Sequence, residues 1–179
     1  MTNAAGLYGK SLYDLARSED TADDIMEGIR SVEAVFREQE DYLRLLSEPS
    51  IPKKERLSLL TEALRESVPE YLLNFLLLLV EKGLILRYRD SFRSFTALYN
   101  ADKGISVATV CSAVALTEAQ RTALIQALKK RTGKEIELRE RIDAGVLGGL
   151  RVEVDGKTLD GTVESRLGAL RKQLSSIKI

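Results

Sequence analysis

Ten consecutive residues, Tyr71 to Val80, hold nine apolar side chains and one polar one, Asn74. Ser67-x-x-Glu70 ahead of the run has the spacing of a capping box, Pro69 suits a first turn, and Gly83 suits a C-terminal stop. The spacing therefore predicts a helix over residues 69–82. At ~1.5 Å per residue the run reaches about 15 Å, half of a ~30 Å hydrocarbon core, so it does not read as a membrane span. A helix that is apolar on every side needs cover on every side. Either it sits at the centre of a bundle, or one face opens into a groove that a partner helix fills.

The flanking sequence supplies further helices. Ala5, Tyr8, Leu12, Leu15 and Ala16 recur at helical spacing over residues 4–17. Thr21 is placed to cap a second helix, with Asp23 and Asp24 in its first turn and Ile25, Ile29, Val32 and Phe36 as its stripe. Tyr42, Leu45 and Leu46 mark a short third helix before Pro49 and Pro52 break the pattern. Leu57, Leu60 and Leu64 mark a fourth, and Tyr88, Phe92, Phe95 and Tyr99 a sixth after the apolar one. At this spacing the aromatic stripe reads as core and not as a base-stacking platform. In the first helix Ala5, Gly9 and Ser11 are small, which suits one wall of a helix-binding groove.

Near Asp102–Gly104 the period changes from helical to alternating. Ile105, Val107, Thr109 and Cys111 predict a strand, and Thr117-x-x-Gln120 opens a helix that ends near Gly133. Ile136, Leu138 and Ile142 predict a second strand; Leu150, Val152 and Val154 predict a third. Asp155-Gly156 is a two-residue hairpin turn leading to a fourth strand. Val163, Leu167, Leu170, Leu174 and Ile177 stripe a last helix. The expected architecture is α+β: a six-helix bundle over 1–103, then a β-α-β-β-β-α domain over 104–179.

Most enzyme chemistries lack their residues here. The chain has no histidine and one cysteine, Cys111, which removes the commonest general base and metal ligand, disulfide frameworks and thiolate zinc clusters. Gly156-Lys157-Thr158 lacks the earlier glycine of a phosphate loop, because position 151 is Arg, and it reads as a hairpin tip. Gly145, Gly148 and Gly149 lack dinucleotide-loop spacing and read as a bulge or close backbone approach. Asp143 and Asp160 read as turn or cap residues, and Lys129-Lys130-Arg131 as a basic last turn. No catalytic, cofactor or metal site is expected.

Formal net charge is zero, against the basic excess of a nucleic-acid binder. It is distributed unevenly: residues 1–100 hold 13 Lys+Arg and 17 Asp+Glu, a net of −4, whereas residues 101–179 hold 14 and 10, a net of +4. Two halves with different surfaces point to different partners or to mutual attraction. A nucleic-acid adaptor using the basic half, or another helix-docking adaptor, is the rival reading.

Taken in order, the motifs resemble the delta subunit of F-type ATP synthases, relatives of the mitochondrial oligomycin-sensitivity-conferring protein. The resemblance rests on Tyr8-Gly9-Lys10-Ser11-Leu12 with Leu15-Ala16, Pro49 before Lys53-Lys54, Asn74-Phe75-Leu76 and Glu81-Lys82-Gly83. It continues through Val110, Ser112-Ala113, Leu116-Thr117, Gln120, Gly133-Lys134, Asp143, Gly148-Gly149 and Asp160-Gly161-Thr162. The family more often has Ala where Gly9 and Ser11 stand, and Arg where Leu84 follows Gly83.

The resemblance implies a non-catalytic stator subunit that ties the catalytic head to the peripheral stalk. Its first domain is expected to receive the N-terminal helix of an alpha subunit between the first and fifth helices. The residues assigned to that groove are Ala5, Tyr8, Gly9, Leu12, Ala16, Phe75, Leu76 and Leu79. The second domain is expected to hold the C-terminal region of the b subunits, with Leu167, Leu170 and Leu174 at the contact. The resemblance further implies no cofactor, no nucleic acid, no direct membrane insertion, and a peripheral place on the cytoplasmic face of a bacterial plasma membrane.

Overall fold

The apolar stripes of the first hundred residues wind into α1 (Ala4–Ser18), α2 (Ala22–Glu38), α3 (Glu40–Ser47), α4 (Lys53–Leu64), α5 (Glu70–Glu81) and α6 (Tyr88–Asp102) in a computed structural model. The structure describes residues 4–146, 148–165 and 167. The chain divides into two units, Met1–Tyr99 and Asn100–Ile179.

In the first unit the α2 stripe of Ile25, Ile29, Val32 and Phe36 meets Leu72, Leu76 and Leu79 of α5 and Tyr88, Phe92 and Phe95 of α6 in one core. The aromatic rings pack edge to face: Phe36 lies 4.9 Å from Tyr88, Tyr88 5.4 Å from Phe92, and Tyr13 of α1 5.5 Å from Phe95. Each such pair adds about 0.5–1.5 kcal/mol beyond its burial.

The expectation of an N-terminal six-helix bundle does not hold. Eight helices with defined bounds occur among the described residues, seven of them before the first strand. The extra one is a 3-10 turn, Ile85–Arg87, wedged between α5 and α6. Gly83 takes a positive φ of 68°, and the Leu84 amide folds back onto the Leu79 carbonyl at 2.8 Å, which ends α5. Only four residues then precede Tyr88. The tighter 3-10 winding fits that span and delivers Ile85 to the core.

Two predicted caps are also corrected. The α5 N-cap is Pro69, and no side chain caps the helix, so Ser67 does not form the capping box its spacing predicts. Thr21 does stand at the α2 N-cap, but its hydroxyl makes no cap hydrogen bond and is buried without a partner.

The second unit contains β1 (Ile105–Ser112), α7 (Glu118–Thr132), β2 (Glu135–Ile142), β3 (Leu150–Val154) and β4 (Lys157–Asp160). The four-stranded mixed sheet has the order β2-β1-β3-β4, with β1 and β2 parallel and the other pairs antiparallel. Parallel neighbours need a long crossover, and α7 supplies it. Thr117 accepts from the Gln120 amide while the Gln120 side chain accepts from the Thr117 amide, closing the predicted capping box. Gly133 ends α7 in the left-handed region.

Alternate β1 residues Ala108 and Val110 pack with Val152, Val154 and Leu128 of α7. Asp155 and Gly156, with φ of 49° and 72°, make the hairpin turn. At Gly149, with φ of 84°, an added Cβ would lie 2.4 Å from the Gly161 carbonyl oxygen, which is the close backbone approach predicted there. Residues 163–165 and 167 are helical; Leu170 and Leu174 lie outside the described residues.

Candidate functional site

What α1 offers to a partner depends on how α6 holds it. The buried Ser91 hydroxyl of α6 donates to the Ala5 carbonyl at 2.7 Å. One turn later, a Cβ on Gly9 would lie 2.0 Å from the Ser91 carbonyl oxygen. Only glycine lets the two helices meet this closely. The Ala5–Gly9 edge is therefore spent within the unit. The adjacent stripe of α1 is Tyr8, Ser11, Leu12 and Leu15, spaced i, i+3, i+4, i+7.

Across from it, α5 presents Tyr71, Asn74, Phe75 and Leu78 at the same spacing. The two stripes line a groove of about 370 Å³. Leucines and aromatic rings form its walls, and the hydroxyl and amide tips of Tyr8, Ser11, Tyr71 and Asn74 add hydrogen-bonding capacity. Leu15 is 40% exposed and Tyr71 39% exposed. Matched stripes of two turns on neighbouring helices suit the apolar ridge of a third helix. No carboxylate, amine or guanidinium lines the groove. Among the described residues no group of three or more His, Cys, Asp or Glu is placed to hold a metal.

Of the eight residues assigned to the groove from sequence, the structure brings together Tyr8, Leu12 and Phe75. Ala5, Gly9, Ala16, Leu76 and Leu79 are buried. Of the small residues, only Ser11 lines the groove; Gly9 serves the α1–α6 contact. Ser11, Leu15, Tyr71, Asn74 and Leu78 were not in that assignment, although one signal pointed to three of them. Asn74, the single polar residue of the run, marks the open side of α5. Tyr71 and Leu78 lie three residues before it and four after it, on the same side. Most of α5 is sealed by its own unit, and one stripe is open.

In the second unit Leu167 is helical and 54% exposed; Val114, Ile142 and Val163 are further large apolar side chains open to solvent. Several of its charged side chains are engaged within the unit. Asp155 accepts from Lys134 at 3.1 Å and from Ser106 at 3.0 Å, and these partners hold its carboxyl below the usual range. Asp160 is lowered likewise by the Thr162 hydroxyl and amide, and Glu140 by Arg121. Lys129 of the basic last turn pairs with Glu135. Asp143 accepts from the Gly145 amide in a turn.

Known proteins resemble the chain over nearly its whole length. The family profile described as "ATP synthase delta (OSCP) subunit" matches residues 4–174. An ATP synthase subunit delta from Lachnoclostridium phytofermentans is 30% identical over 173 residues, 96% of this chain and 95% of that one. One from Clostridium botulinum strain 657 is 29% identical over 167 residues, 93% of each chain. A chain in the cryo-EM structure of the Toxoplasma gondii mitochondrial ATP synthase hexamer shares the fold, with a TM-score of 0.79 at 18% identity, over 98% of this chain and 99% of that one.

Proposed function

The chain belongs to the ATP synthase delta (OSCP) subunit family, and from that premise we propose that its α1–α5 groove receives the N-terminal helix of an ATP synthase alpha subunit. The coarser role follows from membership itself. The chain is a structural, non-catalytic subunit of the F-type ATP synthase, a stator element in the link between catalytic head and peripheral stalk. It is a peripheral component of that complex, and no helix among the described residues is long and apolar enough to cross a membrane.

The observation that carries the groove assignment is the pair of matched stripes, Tyr8/Ser11/Leu12/Leu15 facing Tyr71/Asn74/Phe75/Leu78. Burial of a leucine or phenylalanine contributes about 1.5–3 kcal/mol when complete, and association costs about 4–15 kcal/mol, so one groove gives a modest complex. We assign the second unit to the C-terminal region of the b subunits, with Leu167, Leu170 and Leu174 on the contacting helix. Two attachments on one assembly raise avidity through effective concentration. In this reading the first unit grips the head and the second the stalk, at the cytoplasmic face of a bacterial plasma membrane. The link then keeps the head from turning with the central shaft, and close-packed interiors transmit the strain.

A titration of the full chain with a synthetic peptide of the alpha subunit's N-terminal helix, followed by amide and methyl chemical shifts, tests the assignment. Shifts are expected at Leu12, Leu15, Phe75 and Leu78. Binding that leaves those residues unmoved and perturbs another surface overturns it.

A further inference from the structure

On the other side of α1 a second groove, of about 520 Å³, runs between α1 and α6. Gly6 and Leu7 of α1 and Ala97 and Leu98 of α6 give it an apolar floor. Leu7 is 57% exposed there. The α6 side runs from Asp90 to Leu98, about 12 Å of helix, or two turns.

The charged residues at its rim sum to a positive charge, opposite in sign to the net charge of residues 1–100. Lys10 and Arg93 stand at the groove, and neither is in an ion pair with another described residue. The one carboxylate among the lining residues, Asp90, is engaged by Arg87 at 3.2 Å, so it does not neutralise them. Residues 1–100 nevertheless hold 17 acidic against 13 basic side chains. Against that acidic surplus, a carboxylate at this rim meets two cations that no described residue pairs. Complementary charge of this kind selects and orients a partner more than it adds affinity.

We propose that the α1–α6 groove is a second docking site, and that its occupant is a two-turn amphipathic helix of a partner protein whose apolar ridge is flanked by carboxylates. The ridge lies against Leu7, Ala97 and Leu98, and the carboxylates meet Lys10 and Arg93. This groove shares no lining residue with the α1–α5 groove, and the inference does not rest on the reading of that groove.

Two synthetic helical peptides with the same leucine ridge, one flanked by Glu and the other by Lys, test it against the full chain by chemical shifts. The Glu peptide is expected to move Leu7, Ala97 and Leu98, and to bind more weakly as salt rises. In the variant carrying K10E and R93E, both on exposed positions, its affinity should fall at least about 10-fold, a change of about 1.4 kcal/mol, and the Lys peptide should gain. Ala97→Arg, which fills the groove from an exposed position, should abolish binding of the Glu peptide there. Shifts confined to Leu15, Phe75 and Leu78 overturn the proposal, as does equal binding of both peptides before and after charge reversal. Uptake of decanoate at Leu7 and Leu98 with no response to the Glu peptide also overturns it, in favour of an acyl chain.

Discussion

Replacing Leu15 separates groove function from fold stability, because its side chain stands 40% exposed before any partner arrives. Full burial of a leucine gives about 1.5–3 kcal/mol, so the uncovered share that a docked helix seals is about 0.6–1.2 kcal/mol. Leu15→Ala should therefore weaken the partner helix about 3- to 8-fold. Leu15→Asp loses the same share and adds the cost of burying an unpaired polar or charged group, about 1–3 kcal/mol or more, for a total loss of about 15- to 1,000-fold. The share already covered in the free chain contributes about 0.9–1.8 kcal/mol to folding on the same scale, so the thermal midpoint of either variant should fall by roughly that equivalent while the unit stays folded. Isothermal titration of the full chain with the alpha N-terminal peptide reads the affinity, and a thermal melt reads the fold. Retained affinity in Leu15→Asp, in a variant that still melts cooperatively, refutes the placement of Leu15 in the interface. An affinity loss matched by a collapse of the melt refutes the claim that its open face is free of structural duty.

Gly9→Val should lower stability by about 1–3 kcal/mol through overpacking, since its Cβ meets the Ser91 carbonyl at 2.0 Å; a urea unfolding midpoint measures this. Gly149→Ala should destabilise the second unit, both through the positive φ of 84° and through the 2.4 Å approach to the Gly161 carbonyl, and faster amide exchange in β1 and β3 would register it. Thr21→Val removes a buried hydroxyl that has no partner, so stability should stay level or rise by up to about 1–3 kcal/mol in the same urea assay. Asp155, Asp160 and Glu140 have folded-state pKa values held below their ordinary values by Lys134, Thr162 and Arg121 respectively. Their contribution is then complete above the ordinary carboxylate range and drains away as pH falls through the lower folded-state values. Melts from pH 7 downward should show the midpoint falling in that acid window, and Asp155→Asn should flatten part of the fall.

Where local physics decides, the sequence was easy to read. The Thr117/Gln120 box closes because both partners lie within one turn, and the Asp155-Gly156 turn forms because both residues tolerate positive φ. The aromatic stripe of α6 went to the core because its period left one face apolar. The misreadings share a different cause. The 3-10 turn at Ile85–Arg87 is too short to show a period, and its form depends on where α5 stops. Ser67 has the right spacing for a cap, yet the helix starts after Pro69 and leaves it unused. In the groove, the small residues of α1 announced that some backbone comes close, and Gly9 meets Ser91 of α6. Sequence spacing indicates closeness without naming the neighbour. With that edge taken, the stripe left open is Tyr8, Ser11, Leu12 and Leu15, which only the α1–α6 packing decides.

Photo-crosslinking in the assembled ATP synthase reaches the central claim most directly. A benzoyl-phenylalanine at Leu15 or Tyr71, each open to solvent in the free chain, should yield an adduct whose peptide maps by mass spectrometry to the N-terminal segment of an alpha subunit. Efficient crosslinks from both positions to any other segment, or none while a probe at another surface captures that helix, would contradict the account.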